Sequence, residues 1–380
     1  MKTLIYVGAG LLALFELANV YFIMPMPYSQ RWHSIDIAYA LHSWRWLFRG
    51  AAVLLIALGM SALWRSTNWQ KIAAVVSLLL AAGAAYGANF VLAADAMFLQ
   101  PTTVSMQPSD RNRVEPARLV VGIELNGDAR AYPVQVTGYH HQVRDTVGGT
   151  PVMVTFCTVC RTGRVFSPSI DGRLETFRLV GMDRFNAMFE DATTGSWWRQ
   201  ANGEAIAGPR KGMVLTDIPS ELMTLAQWLA LHPRSLVMQP DPTMREQYDD
   251  KFDYESGASR STLTGTNPAS WGEKSWVVGI SVNGKSRAYD WNRLRQERVI
   301  NDDLGGQPIV LVLASDNASF FAFERPDPQT RFAFAENHLV ADGRRYDFAG
   351  RGEQDSLKRI FASQEFWHSW RTFQPGTDKY

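Results

Sequence analysis

A long internal repeat constrains the fold of this chain more than any other feature of its sequence. The run from Val120 to Tyr132 recurs from Val277 to Tyr289, 157 positions later. The alignment then continues without a gap through the Gly148-Gly149 and Gly305-Gly306 pairs. Self-similarity at a fixed spacing indicates a repeated structural unit. The sequence therefore predicts two pseudo-equivalent halves that pack against each other.

The two copies differ at the residues best suited to chemistry. Both cysteines of the chain, Cys157 and Cys160, lie in the first copy, as do His140 and His141. The matching positions of the second copy hold other residue types: Ala314, Asn317, Glu297 and Arg298. We interpret what both copies share, including Arg130/Arg287 and Asp145/Asp302, as scaffold that forms ion pairs or turn hydrogen bonds. What only the first copy has is candidate chemistry.

Three apolar runs precede the repeat: Leu4–Met24, Leu47–Trp64 and Ile72–Ala94. Each is close to the length that crosses a bilayer as a helix. The first is too long for a signal peptide and lacks a clear cleavage site, and two more runs follow it. We therefore expect three transmembrane helices, with membrane lipid as their partner. Arginines and lysines are balanced on the two sides, so charge alone does not orient the chain.

Short strand patterns dominate both copies. Asn126-Gly127 and Asn283-Gly284 each separate two strand-like runs, which is a strong hairpin signal. Each copy closes with a predicted helix, Glu221–Leu231 and Gln364–Phe373. The expected fold class is α+β: three amino-terminal transmembrane helices, then a β-rich soluble domain built from two duplicated halves.

The expected domain boundaries follow from these patterns. Residues 1–97 form the membrane domain and 98–118 a linker. The first repeat unit, with the C-x-x-C pair, covers 119–240. A connecting loop region rich in Asp, Ser, Gly and Thr covers 241–275, and the second, degenerate unit covers 276–380.

The Cys157-Thr-Val-Cys160 pair has three common uses: metal chelation, dithiol–disulfide redox chemistry and a structural bond. Arg161 and a strand-like run follow it, which predicts a hairpin tip rather than the helix start of thioredoxin-like sites. A hairpin tip suits metal thiolates, whereas the positive charge of Arg161 would favour a reactive thiolate, so redox chemistry stays open. The second copy forms the same turn without cysteine, which speaks against a purely structural role.

His140 is the predicted third ligand of a metal at the cysteine pair. The strand after the Gly148-Gly149 turn runs back antiparallel towards the cysteines, which would bring His140 near Cys157. His141 and Met188 are further candidate ligands. Two thiolates and an imidazole suit a transition metal, copper ahead of zinc. In this hypothesis Cys157, Cys160 and His140 are also the catalytic residues.

The stretch from Asp191 to Gln200 has no clear counterpart in the second copy. Asp191 and Trp198 in it, together with Arg161, are candidate cofactor-binding residues beside the cysteines. The alternative interpretation, which we favour, is a tight turn with packing tryptophans. The sequence contains no dinucleotide fingerprint, phosphate-binding loop, serine elbow or H-E-x-x-H motif.

The combined motifs resemble a bacterial family called domain of unknown function 3179. They are Arg130-Ala-Tyr-Pro133, His140, Gly148-Gly-Thr-Pro151, Val154-Thr-Phe-Cys157-Thr-Val-Cys160, and the later set Asp191, Thr194, Ser196, Trp198 and Gln200. The resemblance covers about Val120 to Met238. His141, Arg144 and Thr158-Val159 depart from the usual Glu, Asn and Pro-Leu of the family. The resemblance implies a multi-pass bacterial inner-membrane protein whose soluble domain is periplasmic, and it implies no activity.

The leading hypothesis from the sequence is a membrane-anchored extracytoplasmic protein with a Cys/Cys/His transition-metal site for redox chemistry or metal handling. One alternative is a thiol–disulfide oxidoreductase that uses the C-x-x-C pair. The other is a non-enzymatic, membrane-tethered binding or assembly module. The expected partner is an unknown small molecule or redox protein. The formal net charge of +1 gives no indication of nucleic acid.

Overall fold

The computed structural model describes residues 2–63, 65–248 and 251–380. Trp64, at which the second predicted apolar run ends, lies outside the described residues. The helices are α1 (Thr3–Ile23), α2 (Ile35–Ser43), α3 (Arg45–Leu63), α4 (Asn68–Tyr86), α5 (Ala94–Met97), α6 (Val134–His140), α7 (Leu225–Leu231), α8 (Arg245–Tyr248), α9 (Lys251–Ser256), α10 (Trp291–Glu297) and α11 (Trp367–Phe373).

The strands are short and follow one another closely after residue 105. They are β1 (Met106–Pro108), β2 (Leu119–Leu125), β3 (Asp128–Pro133), β4 (Gln142–Val147), β5 (Thr150–Cys157), β6 (Thr162–Phe166), β7 (Ser169–Ile170), β8 (Arg173–Leu174), β9 (Phe177–Asp183), β10 (Asn186–Asp191), β11 (Trp197–Arg199), β12 (Ala205–Ala207), β13 (Glu221–Thr224), β14 (Leu236–Met238), β15 (Trp276–Val282), β16 (Lys285–Asp290), β17 (Val299–Leu304), β18 (Gln307–Leu313), β19 (Phe320–Glu324), β20 (Ala333–Ala335), β21 (His338–Ala341), β22 (Arg344–Tyr346), β23 (Arg359–Ile360), β24 (Ala362–Phe366) and β25 (Asp378–Lys379).

Three helices in the described part of the chain are long and apolar enough to cross a membrane. They cover Thr3–Ile23, Arg45–Leu63 and Asn68–Val91, which confirms the three predicted apolar helices. The last of them continues past α4 through a π-helical turn, Gly87–Val91. The region after residue 105 is rich in strands arranged in several small sheets, as expected.

The chain forms two compact units, and the first is not confined to the amino terminus. It comprises residues 1–99 together with 176–199 and 204–214, so the sheet β12-β11-β10-β9 belongs with the apolar helices. Within this unit, Tyr39 packs its ring edge-on to Trp197 at a centroid distance of 5.1 Å. His42 Nε2 lies 3.0 Å from Glu190 Oε2. The first stretch of this unit ends close to the predicted boundary at residue 97, but the inclusion of 176–199 and 204–214 was not predicted.

A buried ion pair joins the apolar helices of the first unit. Glu16 on α1 is 1 % exposed, and its carboxylate accepts hydrogen bonds from Arg49 Nε at 2.6 Å and Arg49 Nη2 at 3.0 Å. Asn89 Nδ2 donates to the same carboxylate at 2.9 Å. A charge placed among membrane helices is costly unless it is paired. The single acid of the first apolar run is therefore satisfied by α3 and by the π-helical turn.

The second unit comprises residues 100–175, 200–203 and 215–380. It contains two sheets in which the strands have the same arrangement and directions. In one, the β2–β3 hairpin is flanked by β13, antiparallel to β2, and β14, parallel to β3. In the other, the β15–β16 hairpin is flanked by β24, antiparallel to β15, and β25, parallel to β16. Both hairpins turn at Asn-Gly with positive φ at both residues, as predicted.

Two further antiparallel sheets, β4-β5-β6 and β17-β18-β19-β23, complete the main body of this unit. One hydrophobic core joins the first hairpin sheet, through Val120 and Ala131, and α7, through Trp228, to β18 and β19, through Val312 and Phe323. The predicted ion pairs of the two copies are both formed. Arg130 Nη1 lies 2.8 Å from Asp145 Oδ2, and Arg287 Nη1 lies 2.5 Å from Asp302 Oδ2.

The two predicted closing helices begin later than expected. Residues 221–224 form β13, and the helix begins only after Thr224, whose side chain accepts a hydrogen bond from Gln227 N–H. Likewise Ala362–Phe366 is strand β24, and α11 begins at Trp367. Pairing with β2 and β15 overrides the helical pattern there, because ladder hydrogen bonds satisfy the backbone. The helix α6, which ends at His140, was not predicted.

Candidate functional site

The cysteine pair lies in the turn between β5 and β6. Cys157 is the last residue of β5 and pairs across the ladder with Thr162. Thr158 to Arg161 form the turn, and Arg161 has a φ of +56°. Both cysteines are 0 % exposed thiols, and neither takes part in a disulfide in the structure. The predicted hairpin tip is confirmed.

Residues far along the chain cover this turn. Phe366 N–H donates to the Cys160 carbonyl at 2.9 Å. Lys274 Nζ donates to the Val159 carbonyl at 2.7 Å, and His368 Nε2 lies 3.0 Å from the same oxygen. The carbonyls of the turn are thus satisfied by residues that follow it by more than a hundred positions. This fixes the backbone between the two sulfurs.

The helix α6 covers the turn from another side, and a glycine permits its close approach. A Cβ on Gly138 would lie 3.0 Å from the Thr158 methyl carbon. Such a contact is tighter than ordinary packing and would push α6 away from the turn.

The charge of Lys274 reaches both sulfurs. Burial lowers the pKa of Lys274, and its electrostatic interaction with Cys160 and Cys157 opposes that effect. Its ammonium also donates to the Leu263 carbonyl at 2.6 Å and lies 3.3 Å from His368 Nε2. A held ammonium near a sulfur stabilises the thiolate, which is the nucleophilic and metal-binding form of cysteine.

Two aromatic side chains complete the surroundings of the thiols. Tyr254 is 3 % exposed, and burial raises its pKa well above its usual range, with the two thiols acting in the same direction. Its hydroxyl makes no hydrogen bond to the described residues. His368 is buried, and burial together with Lys274 lowers its pKa to about 3, so the imidazole is neutral at pH 7.

Arg161 ties the turn to the second half of the chain. Its guanidinium donates to Gln364 Oε1 at 2.9 Å and to the carbonyls of Tyr254 and Glu255 at 3.0 and 2.9 Å. It also stacks over Trp276 at 3.7 Å. Burial lowers the pKa of Arg161, against the favourable charge of its neighbours. These contacts of the guanidinium are all with the surrounding protein. Its predicted cofactor-binding role stays a prediction.

The predicted third ligand, His140, lies at the end of α6 and is 0 % exposed. His140 Nε2 is 2.8 Å from the Tyr248 hydroxyl, and its carbonyl accepts from Gln100 Nε2 at 3.0 Å. Among the residues that the structure describes, no three His, Cys, Asp or Glu side chains are grouped so that they could hold a metal. The Cys157/Cys160/His140 centre therefore stays a prediction without support from the geometry.

The local backbone explains why His140 does not continue the strand. His141 has a φ of +59°, and its carbonyl accepts from Phe156 N–H at 3.2 Å. His141 Nδ1 lies 3.0 Å from the Phe156 carbonyl. The ladder between β4 and β5 is thus extended as far as His141, and α6 occupies the position where a strand would have carried His140 opposite Cys157.

Met188 and the Asp191 stretch belong to the first compact unit, whereas the cysteines belong to the second. Met188 is a fully buried residue of β10. Asp191 Oδ1 accepts from Thr194 N–H at 2.6 Å, and its Oδ2 accepts from Trp198 Nε1 at 2.8 Å. The favoured interpretation, a tight turn with packing tryptophans, is confirmed. Ligand or cofactor roles for these residues stay predictions.

A buried acid near the turn was missed by the sequence interpretation. Glu365 is 2 % exposed, and burial raises its pKa while Arg164, Ser369 and Ser363 oppose that effect. Ser369 Oγ donates to it at 2.7 Å and also lies 3.4 Å from Thr162 Oγ1. Lys274, Tyr254 and His368 were missed as well. No local motif marks these residues, because only the tertiary fold brings them to the cysteines.

A cavity of about 430 Å³ adjoins the turn. Thr158 and Tyr254 form one side of it, and the segment from Ala258 to Thr264 forms the other. The segment that contributes these residues was predicted as connecting loop. It does contain long irregular stretches, but also the short helices α8 and α9.

These features define a protein with candidate membrane spans and a β-rich region that holds two buried thiols in a hairpin turn. The chain belongs to the family described as Protein of unknown function (DUF3179), whose model matches residues 98–377. The match extends well beyond the 120–238 stretch whose motifs predicted it, and it includes the residues that cover the cysteine turn. No curated protein and no solved structure matches the chain.

Proposed function

We propose that the protein is a membrane-anchored thiol–disulfide oxidoreductase whose redox centre is Cys157 and Cys160. The observation that carries the proposal is Lys274, which holds the carbonyl between the cysteines and interacts electrostatically with both sulfurs. A stabilised thiolate beside a second thiol is the arrangement that thiol–disulfide exchange requires.

The spacing of the pair favours an internal disulfide as the oxidised state. A tight turn keeps the first and fourth Cα atoms within about 7 Å, and disulfides join Cα atoms about 4.4–6.8 Å apart. In the second hairpin the matching positions form such a turn, since Asn317 N–H donates to the Ala314 carbonyl at 3.1 Å. The turn therefore does not need sulfur to form, which supports a chemical role for the cysteines.

The proposed reaction is a two-electron exchange with a disulfide of a partner protein. One thiolate of the pair attacks a sulfur of that disulfide, forms a mixed disulfide and releases one partner thiolate, which takes up a proton. The other cysteine then loses its proton, attacks the mixed disulfide and releases the second partner thiolate. The partner disulfide is reduced to two thiols, and Cys157–Cys160 is oxidised; the reverse direction passes a disulfide to a partner dithiol.

We propose further that the two halves of the β-rich region are a duplication, of which the second acts as support. The bounds of β2, β3, α6 and β4 recur in β15, β16, α10 and β17 with a constant shift of 157 residues. Contacts at the two turns are also reciprocal. Thr224 N–H from the first half donates to Ser319 Oγ at the second turn, as Phe366 N–H from the second half donates to Cys160 O at the first.

A periplasmic orientation is part of the proposal, because dithiol chemistry of this kind operates where disulfides persist. The odd number of candidate spans would place the β-rich region on the side opposite the amino terminus. A reporter enzyme that is active only outside the cytoplasm, fused after Tyr380, tests this orientation. Activity is expected there, and activity only of a cytoplasmic reporter contradicts it.

Redox titration of the full chain in detergent tests the proposed reaction. The protein is equilibrated with mixtures of reduced and oxidised glutathione, trapped with a maleimide and weighed by mass spectrometry. The expected result is one Cys157–Cys160 disulfide that follows a two-electron curve. Lys274→Met should make the potential more negative, because the reduced form loses its stabilising charge. Lys285→Met, at an exposed position of β16, is the matched control and should leave the potential unchanged.

Two results would overturn the oxidoreductase. One is the absence of a disulfide at every glutathione ratio. The other is stoichiometric copper or zinc in natively purified protein that is lost in the Cys157→Ser/Cys160→Ser variant, which would instead favour the metal site predicted from the sequence.

A further inference from the structure

A second site, independent of the cysteines, lies in a cleft of the second compact unit. The cleft has a volume of about 1310 Å³, larger than the roughly 300–1,000 Å³ of pockets that hold a single small ligand. One wall consists of residues between Pro101 and Arg118. The other consists of residues between Met238 and Tyr248, with Phe252. A cleft of this size suits an extended ligand rather than a compact one.

Arginines stand on both walls of the cleft. Arg111 and Arg113 are exposed on one wall and Arg245 on the other, and none of the three forms an ion pair with a described residue. Among the described residues the lining acids are Glu115 and Asp241, and Oδ1 of the Asp241 carboxylate accepts from Thr243 N–H and Oγ1 at 2.8 and 2.7 Å. Positive charge on both walls favours a ligand with several anionic groups.

Arg118 lies deeper in the same cleft and is only 5 % exposed. Its Nη1 is 3.5 Å from Glu255 Oε1, and neither atom makes a hydrogen bond to a described residue. Its guanidinium stacks over the ring of Phe252 at 5.3 Å, and that ring is 47 % exposed. A buried guanidinium is costly unless an opposite charge pairs with it, and Glu255 supplies that charge here. The indication of an anionic ligand therefore comes from the three exposed arginines.

The neutral lining points to a hydroxylated ligand. The side chains of Thr103, Ser105 and Gln107 line the cleft and make no hydrogen bond to described residues. The His140 imidazole and the Tyr248 hydroxyl, 2.8 Å apart, meet at its wall. Hydroxyl and amide groups pair with hydroxyls, and an exposed aromatic ring packs against an apolar ring face.

We propose that this cleft binds an acidic oligosaccharide, in which carboxylates pair with arginines on both walls and sugar hydroxyls pair with the neutral side chains. The site takes no part in the dithiol reaction and would exist in its absence. His140, predicted as a metal ligand, contributes to this site through its contact with Tyr248.

Isothermal titration calorimetry with tetragalacturonate tests the proposal. The full chain is used in a detergent without sugar headgroups, with maltotetraose as the uncharged probe and inorganic pyrophosphate as the small anion. Tetragalacturonate should bind at least ten-fold more tightly than either, and its affinity should fall as salt rises. Arg113→Gln and Arg245→Gln should each weaken its binding about ten-fold, the loss of roughly one paired charge.

Arg295→Gln, which removes an exposed arginine of α10 outside the cleft, is the matched control and should leave binding unchanged. The Cys157→Ser/Cys160→Ser variant should also bind normally, which separates this proposal from the oxidoreductase. Equal affinity for maltotetraose, or no effect of Arg113→Gln and Arg245→Gln, would overturn the proposal. Pyrophosphate binding as tight as that of the tetramer would overturn the assignment to an oligosaccharide.

Discussion

We expect Tyr254 to limit access to the cysteines. It is buried beside both thiols and borders the adjoining cavity, while its hydroxyl makes no hydrogen bond to described residues. Tyr254→Ala should open the cavity onto the turn and speed the reaction of the thiols with maleimide about ten-fold or more. Tyr254→Phe keeps the ring and loses only the hydroxyl, so its rate should be close to that of the natural protein. Equal rates for all three proteins would contradict this role.

His368 should make the free energy of unfolding depend on pH. Its pKa is about 3 in the folded protein and near 6.5 when unfolded, because burial disfavours the imidazolium. Between these values the unfolded chain binds a proton that the folded one does not, so stability falls as pH drops. The slope contributed is at most about 1.4 kcal/mol per pH unit.

His368→Gln should flatten the dependence of stability on pH between about 6.5 and 4. Chemical denaturation at a series of pH values measures it. His338→Gln, on β21, is the control and should leave the slope in place. An unchanged slope in His368→Gln would show that the histidine titrates normally.

The candidate site could be predicted from the sequence only at its centre. The Cys157/Cys160 pair and its hairpin tip follow from local spacing and from the glycine and strand pattern after it. The other residues of the site lie more than ninety positions after the turn: Tyr254, Lys274 and His368. Neither the periodicity of apolar residues nor a local motif predicts contacts over such a distance. His140 ends the helix α6, and the positive φ of His141 that follows it could not be predicted from the sequence. The role of His140 as a metal ligand stays a prediction.

At the scale of elements, each hairpin sheet depends on a glycine beneath a tryptophan. A Cβ at Gly122 would lie 2.3 Å from the Trp228 ring, and one at Gly279 would lie 2.2 Å from the Trp370 ring. These tryptophans belong to α7 and α11, so the contact fixes each helix on its hairpin. The indole nitrogens donate to Ser235 Oγ and Thr377 Oγ1, at 2.7 and 2.8 Å.

Gly122→Ala should therefore destabilise the protein by about 1–3 kcal/mol, as overpacking does. Trp228→Leu makes room for the new methyl group, so the double variant should be less destabilised than the sum of the two changes. Gly279→Ala with Trp370→Leu provides a matched cycle in the second sheet. Strict additivity in both cycles, measured by urea denaturation, would contradict the contact.

The sequence predicted hairpins better than helix starts. Asn-Gly pairs between strand-like runs located both hairpins, because that dipeptide readily adopts the positive φ values of the turn. The closing helices were placed too early, because Glu221–Thr224 and Ala362–Phe366 pair with neighbouring strands instead. Short helices such as α6 are hard to predict, because two helical turns contain too few apolar residues to show a repeating pattern.

At the scale of the molecule, the first compact unit cannot be cut at residue 97 without loss. It includes 176–199 and 204–214, whose sheet is held by contacts such as Phe185 N–H to Gln30 Oε1 at 3.2 Å and His42 to Glu190. A fragment of residues 98–380 lacks the helical part of this unit. It should bind a hydrophobic dye and melt at a lower temperature than the full chain in detergent. A fragment that binds no dye and melts at the same temperature would contradict the division.

Two of the residues that cover the thiol turn follow it at a long distance in the chain. Phe366 and His368 are synthesised roughly two hundred residues after Cys160, which takes about 10–40 s at ordinary ribosome speeds. In a nascent chain the two thiols are therefore exposed until β24 and α11 have been synthesised and cover them. Oxidants present during that interval would decide whether the two cysteines are buried as a dithiol or as a disulfide when the protein finishes folding.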